Sequence, residues 1–302
     1  MGGDHAPRET VAGAAEAVRR GIEVVLVGNR RRLEPLCENV DVDLPIVHAA
    51  DVVAMGEDPA RSIREKPDAS ISVAARLVRS GEADGLVSAG STGAALAAAA
   101  IIIGRIPGVL RPAIATVIPT TPPTVLIDSG ANPTVGPGHL VQFAIMGSVV
   151  SELSLGVADP SVGLLSIGQE KGKGRDLEKQ AAVLLEDAVP RFVGNVEGRD
   201  VAAGTVNVVV TDGFTGNTVL KAIEGTIAWV ASLAAGAGAP LPAMVLSGVD
   251  YETTGGAHLV GTRGVVVIAH GSSSRVAICS ALESASREAS GGMVEEIGRR
   301  LA

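Results

Sequence analysis

The stretch Leu86-Val87-Ser88-Ala89-Gly90-Ser91-Thr92-Gly93-Ala94-Ala95-Leu96 decides how the chain is read. Gly85-Leu86-Val87 has the look of the end of a buried strand. Small residues and two glycines follow, and then residues 94–103 run apolar and uncharged, as a buried helix does. A strand that turns tightly into a helix leaves the first helical N–H groups without partners. Those groups and the helix dipole favour an anion. Gly90 and Gly93 permit close approach, and Ser88, Ser91 and Thr92 add hydroxyls without bulk. Two readings stand open here: a phosphate or oxyanion cradle at a strand's carboxyl end, or a close-packed strand–helix turn with an N-cap.

Outward from this turn the same alternation repeats. Residues 22–27, 45–48, 84–88, 113–118, 124–127, 162–167, 206–210 and 264–269 read as strands, rich in β-branched side chains and bounded by Gly, Pro, Asp or Asn. Residues 8–19, 30–38, 70–79, 92–103, 139–153, 177–187, 215–235 and 272–300 read as helices. Strands alternating with helices predict an α/β fold, a mostly parallel sheet between helical layers (αβα). The strands are continuously apolar, which fits burial on both faces. With no repeat and no low-complexity linker, the chain reads as a single α/β catalytic domain over 1–302. It carries a short apolar helical and loop excursion at about 225–249, where no charged residue occurs. That segment has a membrane span's length, but Gly236, Gly238, Pro240 and Pro242 interrupt it.

At 302 residues with 46% apolar composition a large core can be buried, and with 2% aromatics it is built from Ala, Val, Leu and Ile. A net charge of −8 and the lack of a basic stripe exclude general nucleic-acid binding. Cys37 and Cys279 have no metal-ligand spacing, so neither a zinc site nor a disulfide framework is expected. The opening residues have no apolar signal-peptide core, which predicts a cytoplasmic protein.

In an open α/β sheet the ligand lies outside the carboxyl ends of the strands. Five polar turns occupy such positions: 88–93, Asp128-Ser129-Gly130-Ala131-Asn132, 168–174, Thr211-Asp212-Gly213-Phe214-Thr215-Gly216-Asn217 and His270-Gly271-Ser272-Ser273-Ser274. Asp212 can orient a group, accept a proton or hold a cation, or simply make an Asx turn. Lys173 can neutralise phosphate or an oxyanion, or stay a solvated surface lysine. His270 is a general acid or oxyanion donor, or a structural histidine. No dinucleotide fingerprint, no Walker loop and no nucleophile elbow is present.

Met1-Gly2-Gly3-Asp4, Ser88-Ala89-Gly90-Ser91-Thr92-Gly93-Ala94, Arg111-Pro112-Ala113, Gly130-Ala131-Asn132, Gln142-Phe143-Ala144-Ile145-Met146-Gly147-Ser148, Lys173-Gly174, Asp212-Gly213-Phe214-Thr215-Gly216-Asn217, Gly255-Gly256-Ala257 and His270-Gly271-Ser272, taken in order, resemble the PlsX-type phosphate acyltransferases. The resemblance implies an enzyme that moves a fatty acyl group from acyl-acyl-carrier-protein to inorganic phosphate, giving acyl phosphate for phospholipid synthesis. It also implies a fold similar to isopropylmalate dehydrogenases and phosphotransacetylases and a homodimer; no cofactor is expected, and no ligand cluster in the sequence suggests a metal. On that reading Lys173, Asp212, Asn217 and His270 are catalytic. Ser88, Gly90, Ser91, Thr92, Gly93 and Asn132 bind phosphate and substrate. The alternatives are a phosphotransacetylase-like enzyme using acyl-coenzyme A, a non-catalytic module that binds acyl groups or carrier protein, and a nicotinamide-dependent dehydrogenase.

Three departures carry expectations of their own. The family has a strand and an Asp ahead of Met-Gly-Gly-Asp. Asn is common where Ser91 stands. The segment before Asp250-Tyr251 is longer in the family, with basic and aromatic residues. The short uncharged version here predicts only a weak peripheral membrane contact through 235–244, at the inner face of the membrane.

Overall fold

The computed structural model describes residues 1–238 and 255–302. In chain order its elements begin with α1 (Arg8–Arg19), β1 (Leu26–Gly28), α2 (Arg30–Cys37), β2 (Ile46–His48), α3 (Pro59–Glu65), α4 (Ser70–Ser80), β3 (Gly85–Ser88) and α5 (Thr92–Ala98), which runs into a π-helical turn, Ala99–Ile103. Next come β4 (Ala113–Ile118), β5 (Thr124–Ile127), α6 (Pro137–Leu155), β6 (Val162–Leu165), α7 (Asp176–Ala188), β7 (Phe192–Val196), α8 (Gly198–Ala203), β8 (Val208–Val210) and α9 (Gly213–Gly236). The described chain closes with β9 (Ala257–Val260), β10 (Val265–Ile268), α10 (Arg275–Ser290) and α11 (Met293–Arg300). The residues form two compact units, Met1–Ile106 with Tyr251–Val294, and Pro107–Asp250 with Glu295–Ala302. The sequence reading has one domain over 1–302, because no linker-like stretch marks the division at Ile106–Pro107.

In the first unit β3 pairs in parallel with β10, with Ser88 opposite Ile268, and β10 pairs antiparallel with β9. Val265, Val267 and Ala269 form one apolar face with Val87 and Ala89, and Ile278, Ala281 and Ala285 of α10 pack on it. His258 on β9 meets Glu288 on α10, both fully buried. β1 and β2 form a separate parallel pair. A cavity of about 850 Å³ is lined by Val25 and Val27 beside β1 and by Gly85, Val87 and Ala89 along the open side of β3. Met1 also lines it.

In the second unit β5 pairs antiparallel with β4 and in parallel with β8, which pairs in parallel with β6, and β6 with β7. Alternation along these strands sorts the helices to opposite faces. Ile127 and Val208 face α6, so closely that a Cβ on Gly147 would lie 2.9 and 2.7 Å from their side chains. Leu126 and Val209 face the other way, where Val219, Leu220 and Ile223 of α9 pack against them. The expected helical layers on both faces of a mostly parallel sheet are therefore present. Arg300 of α11 pairs with Glu152 of α6 at 2.9 Å.

Four elements were not foreseen: α3, α8, β7 and β9. α3 and α8 are only 7 and 6 residues long, below the window in which helical periodicity shows. β7 contains Gly194-Asn195, poor strand formers tolerated because β7 pairs only with β6. The expected helix over 272–300 is two helices, α10 and α11, because Gly291-Gly292 intervenes with Gly292 at φ 69. α9 extends to Gly236, and its exposed side chains include Phe214, Trp229 and Leu233. Most of the expected loop contact at 235–244 lies outside the described residues.

Candidate active site

In the first unit the turn after β3 is a strand–helix turn with an N-cap, one of the two readings the sequence leaves open. Ser91 caps α5, its Oγ accepting from Ala94 N–H at 3.3 Å, and Ser88 Oγ accepts from Gly90 N–H at 3.3 Å. Thr92 is exposed, and Ser88, Gly90, Ser91 and Gly93 are part-buried. Ala269 N–H donates to Ser88 O at 2.9 Å, which brings the turn after β10 alongside. The N-terminal residues cross both turns. Asp4 N–H donates to Gly271 O at 2.8 Å, and a Cβ on Gly3 would lie 2.8 Å from Ala89 O and 3.2 Å from Gly271 O. Only glycine fits there. The first unit thus gathers Ser88, Gly90, Ser91, Thr92, Gly93 and His270 at the carboxyl ends of two adjacent parallel strands. His270 Nδ1 lies 2.7 Å from Ser272 Oγ and accepts from Ser272 N–H at 3.3 Å. With Nδ1 accepting, the neutral ring carries its proton on Nε2.

In the second unit the turns after β5 and β8 interlock. Asp128 is fully buried and receives five hydrogen bonds. Its Oδ1 accepts from Ile114, Gly130 and Ala131 N–H at 3.0, 3.2 and 3.0 Å, and its Oδ2 from Asn132 N–H and Nδ2 at 2.7 and 2.9 Å. Asn132 Nδ2 also donates to Pro112 O at 2.8 Å, and Asn132 O accepts from Gly213 N–H at 2.8 Å. A Cβ on Gly213 would lie 2.7 Å from Asn132 N, and one on Gly216 only 1.9 Å from Asp128 O. The two glycines are what let α9 start against the β5 turn. Asn217, exposed in the first turn of α9, reaches back toward Gly130, its Oδ1 lying 3.6 Å from where a Gly130 Cβ would sit.

Asp212 caps α9. Its Oδ1 accepts from Thr215 N–H at 2.8 Å, and its Oδ2 from Thr215 Oγ1 at 3.0 Å and from Arg175 Nη2 at 2.5 Å. Burial by itself pushes its pKa up, but the Thr215 N–H, the Arg175 guanidinium and the Thr215 hydroxyl together outweigh it, so Asp212 is held below the usual carboxylate range. Arg175 also grips buried Glu178, with Nε 3.0 Å from Oε1. Lys173, on the same loop, is exposed; its stem lies over Gly168, and its ammonium meets no carboxylate among the described residues. The cation that reaches Asp212 is therefore Arg175. Sequence reasoning gave no role to Arg175 or Glu178, and none to Asp128 beyond its place in a candidate turn. Asp128 alone had a readable signal, an aspartate opening a turn directly after a buried strand.

Asn132, Asp212 and Asn217 are thus brought together, with Lys173 on the adjoining loop. The N–H groups of these turns are spent on Asp128, Asp212 and Asn132 O, so what the arrangement offers a small anionic group is the exposed Asn217 and Lys173 at its rim. Among the described residues no group of three His, Cys, Asp or Glu side chains is placed to hold a metal ion.

The model of the fatty acid synthesis protein family matches residues 1–296. A phosphate acyltransferase of Desulfitobacterium hafniense is 45% identical, covering 100% of this chain and 95% of its own length. Among solved structures, a phosphotransacetylase from Streptococcus pyogenes superposes with a TM-score of 0.65 at 19% identity, covering 95% of this chain and 92% of that one. A branched-chain phosphotransacylase from Enterococcus faecalis superposes with a TM-score of 0.60 at 17% identity, covering 95% and 96%.

Proposed function

This chain belongs to the fatty acid synthesis protein family and is a phosphate acyltransferase, and we propose that its acyl donor is a fatty acyl-acyl-carrier-protein and its product an acyl phosphate that feeds phospholipid synthesis. The observation that carries the reading is the 45% identity to a phosphate acyltransferase over the whole chain, joined to the serine- and glycine-rich turn that opens α5. An oxygen of inorganic phosphate attacks the thioester carbonyl carbon. The tetrahedral intermediate collapses, the carbon–sulfur bond breaks, and the carrier leaves as a thiolate that takes up a proton. Phosphate is itself the nucleophile, so no covalent enzyme intermediate is needed. Positioning and electrostatic stabilisation supply the acceleration.

In this scheme Ser88, Gly90, Ser91, Thr92 and Gly93 hold phosphate with N–H and hydroxyl donors. His270 offers Nε2–H as a donor to developing negative charge. Lys173, with its ammonium in solvent, supplies positive charge. Asn132 and Asn217 orient substrate. Asp212, saturated by three donors and low in pKa, orients its turn rather than accepting a proton. The enzyme works in the cytoplasm as a homodimer, with at most a weak peripheral membrane contact.

The test offers the purified chain palmitoyl-acyl-carrier-protein and palmitoyl-coenzyme A separately with phosphate, trapping acyl phosphate as the hydroxamate. Turnover with the carrier-protein thioester well above that with the coenzyme A thioester supports the reading. Preference for coenzyme A would make the enzyme phosphotransacetylase-like. Binding of acyl-carrier-protein without turnover would make it a binding module.

A further inference from the structure

The loop between β6 and α7 places one guanidinium between two buried carboxylates. Asp212 is 3% exposed, Glu178 7%, and the Arg175 side chain 59%. Arg175 gives Nη2 to Asp212 and both Nε and Nη2 to Glu178, which closes back on the Arg175 N–H at 2.7 Å. Glu178 therefore fixes the arginine at the start of α7, and the arginine reaches across to the start of α9. Gly174, at φ 102 and with no room for a Cβ beside Ser166 Oγ and Glu178, holds the loop close enough for this.

We infer that Arg175 is a positioning residue of the acyl transfer reaction: clamped by Glu178, it locks the Asp212 carboxylate against Thr215 and so sets the turn that carries Asn217. This rests on the reading of that turn as part of the acyltransferase site. The groups that face Asp212 are few. Arg175 approaches from the loop before α7, Glu178 from α7 through that arginine, and Thr215 from α9. Asp128 lies behind the turn, 2.8 Å from where a Gly213 Cβ would sit. Arg175 is the only cation in this set. Without it Asp212 keeps the two Thr215 bonds but stays buried with no cation opposite it, so its ionised form loses its compensation. The carboxylate then takes up a proton at higher pH, releases one Thr215 bond, and the first turn of α9 loosens.

The experiment compares Arg175→Ala, Arg175→Gln and Arg175→Lys in the full chain. Loss of a charge-assisted hydrogen bond corresponds to roughly a 10- to 100-fold fall in kcat for the Ala and Gln variants. The KM for phosphate should change little, and the acid limb of the pH–kcat profile should move toward neutral. Arg175→Lys, which keeps the charge and loses the fork, should recover part of the rate and most of the pH profile. The titration of the Asp212 carboxyl carbon, followed by NMR in ¹³C-aspartate-labelled protein, should shift upward in the Ala and Gln variants whether or not acyl phosphate is the product. That readout separates this inference from the reaction assigned above. Variants that melt earlier but keep the wild-type Asp212 titration overturn it, as do variants with wild-type kcat and pH profile.

Discussion

Replacing Asp128 with Asn changes one atom and should damage the second unit more than any conservative surface change. Five donors converge on the carboxylate, all in or beside the β5 turn. An amide can sit there in two ways. With its NH₂ at the Oδ1 position, the N–H groups of Ile114, Gly130 and Ala131 all lose their acceptor. With its NH₂ at the Oδ2 position, Asn132 N–H loses its acceptor, and the Asn132 side chain must turn over, breaking its 2.8 Å bond to Pro112 O. The second costs less. One stranded buried donor costs about 1–3 kcal/mol, and with the broken side-chain bond the total comes to roughly 2–5 kcal/mol. Against a typical domain stability of about 5–15 kcal/mol, that is a substantial fraction. Urea unfolding followed by far-UV circular dichroism should show a lower midpoint for Asp128→Asn. Amide hydrogen exchange should show the loss concentrated at Asn132, whose N–H is the one left without an acceptor. A midpoint within about 0.5 kcal/mol of wild type, the range of a neutral surface change, with unaltered exchange at Asn132 would show that the carboxylate does not hold this turn.

Three further outcomes follow from the same geometry. Gly216→Ala would place a Cβ 1.9 Å from Asp128 O, against backbone that cannot give way; the variant should lose acyl transfer and show a lower melting temperature, and wild-type behaviour would contradict the interlocked turns. Lys173→Ala and Asp212→Ala should each lose most turnover while keeping a native circular dichroism spectrum, and normal acyl phosphate formation by both would remove them from the site. In the first unit Lys66, Ala54 N–H and Ser62 Oγ hold the Glu57 pKa at about 2, below its ordinary 4.5. Because the folded-state pKa is depressed, this stabilisation is complete above pH 4.5 and disappears as pH falls toward 2. Lys66→Met should therefore flatten the acid side of the stability profile in that window, and an unchanged slope would argue against the pairing.

Much of the architecture was legible because the strands are pure apolar runs between turn residues. Ala113–Ile118 and Thr124–Ile127 coincide with β4 and β5, and Arg8–Arg19 with α1. The first turn was legible too, Ser91 capping α5 where small polar residues follow a strand, whereas α9 starts two residues before the expected 215 and its cap is Asp212, not Thr215. What stayed hidden depends on partners distant in the chain. Asp128 is important because Ile114 and Asn132 point at it, and Arg175 because Glu178 and Asp212 flank it, neither of which spacing reveals. The sequence reading set Lys173 as the loop's functional cation by motif. The structure puts the neighbouring Arg175, two positions on, at the buried carboxylate. Local reasoning also runs out at Gly291-Gly292, where it joined two helices, and at Ile106–Pro107, where the chain passes between units without a change in composition.

The most direct measurement incubates the purified chain with radiolabelled orthophosphate and palmitoyl-acyl-carrier-protein, following label in the lipid product and free thiol on the carrier. Labelled palmitoyl phosphate and free thiol should appear together, one for one. Thiol released with unlabelled free fatty acid, or no thiol released at all, would contradict the assigned reaction.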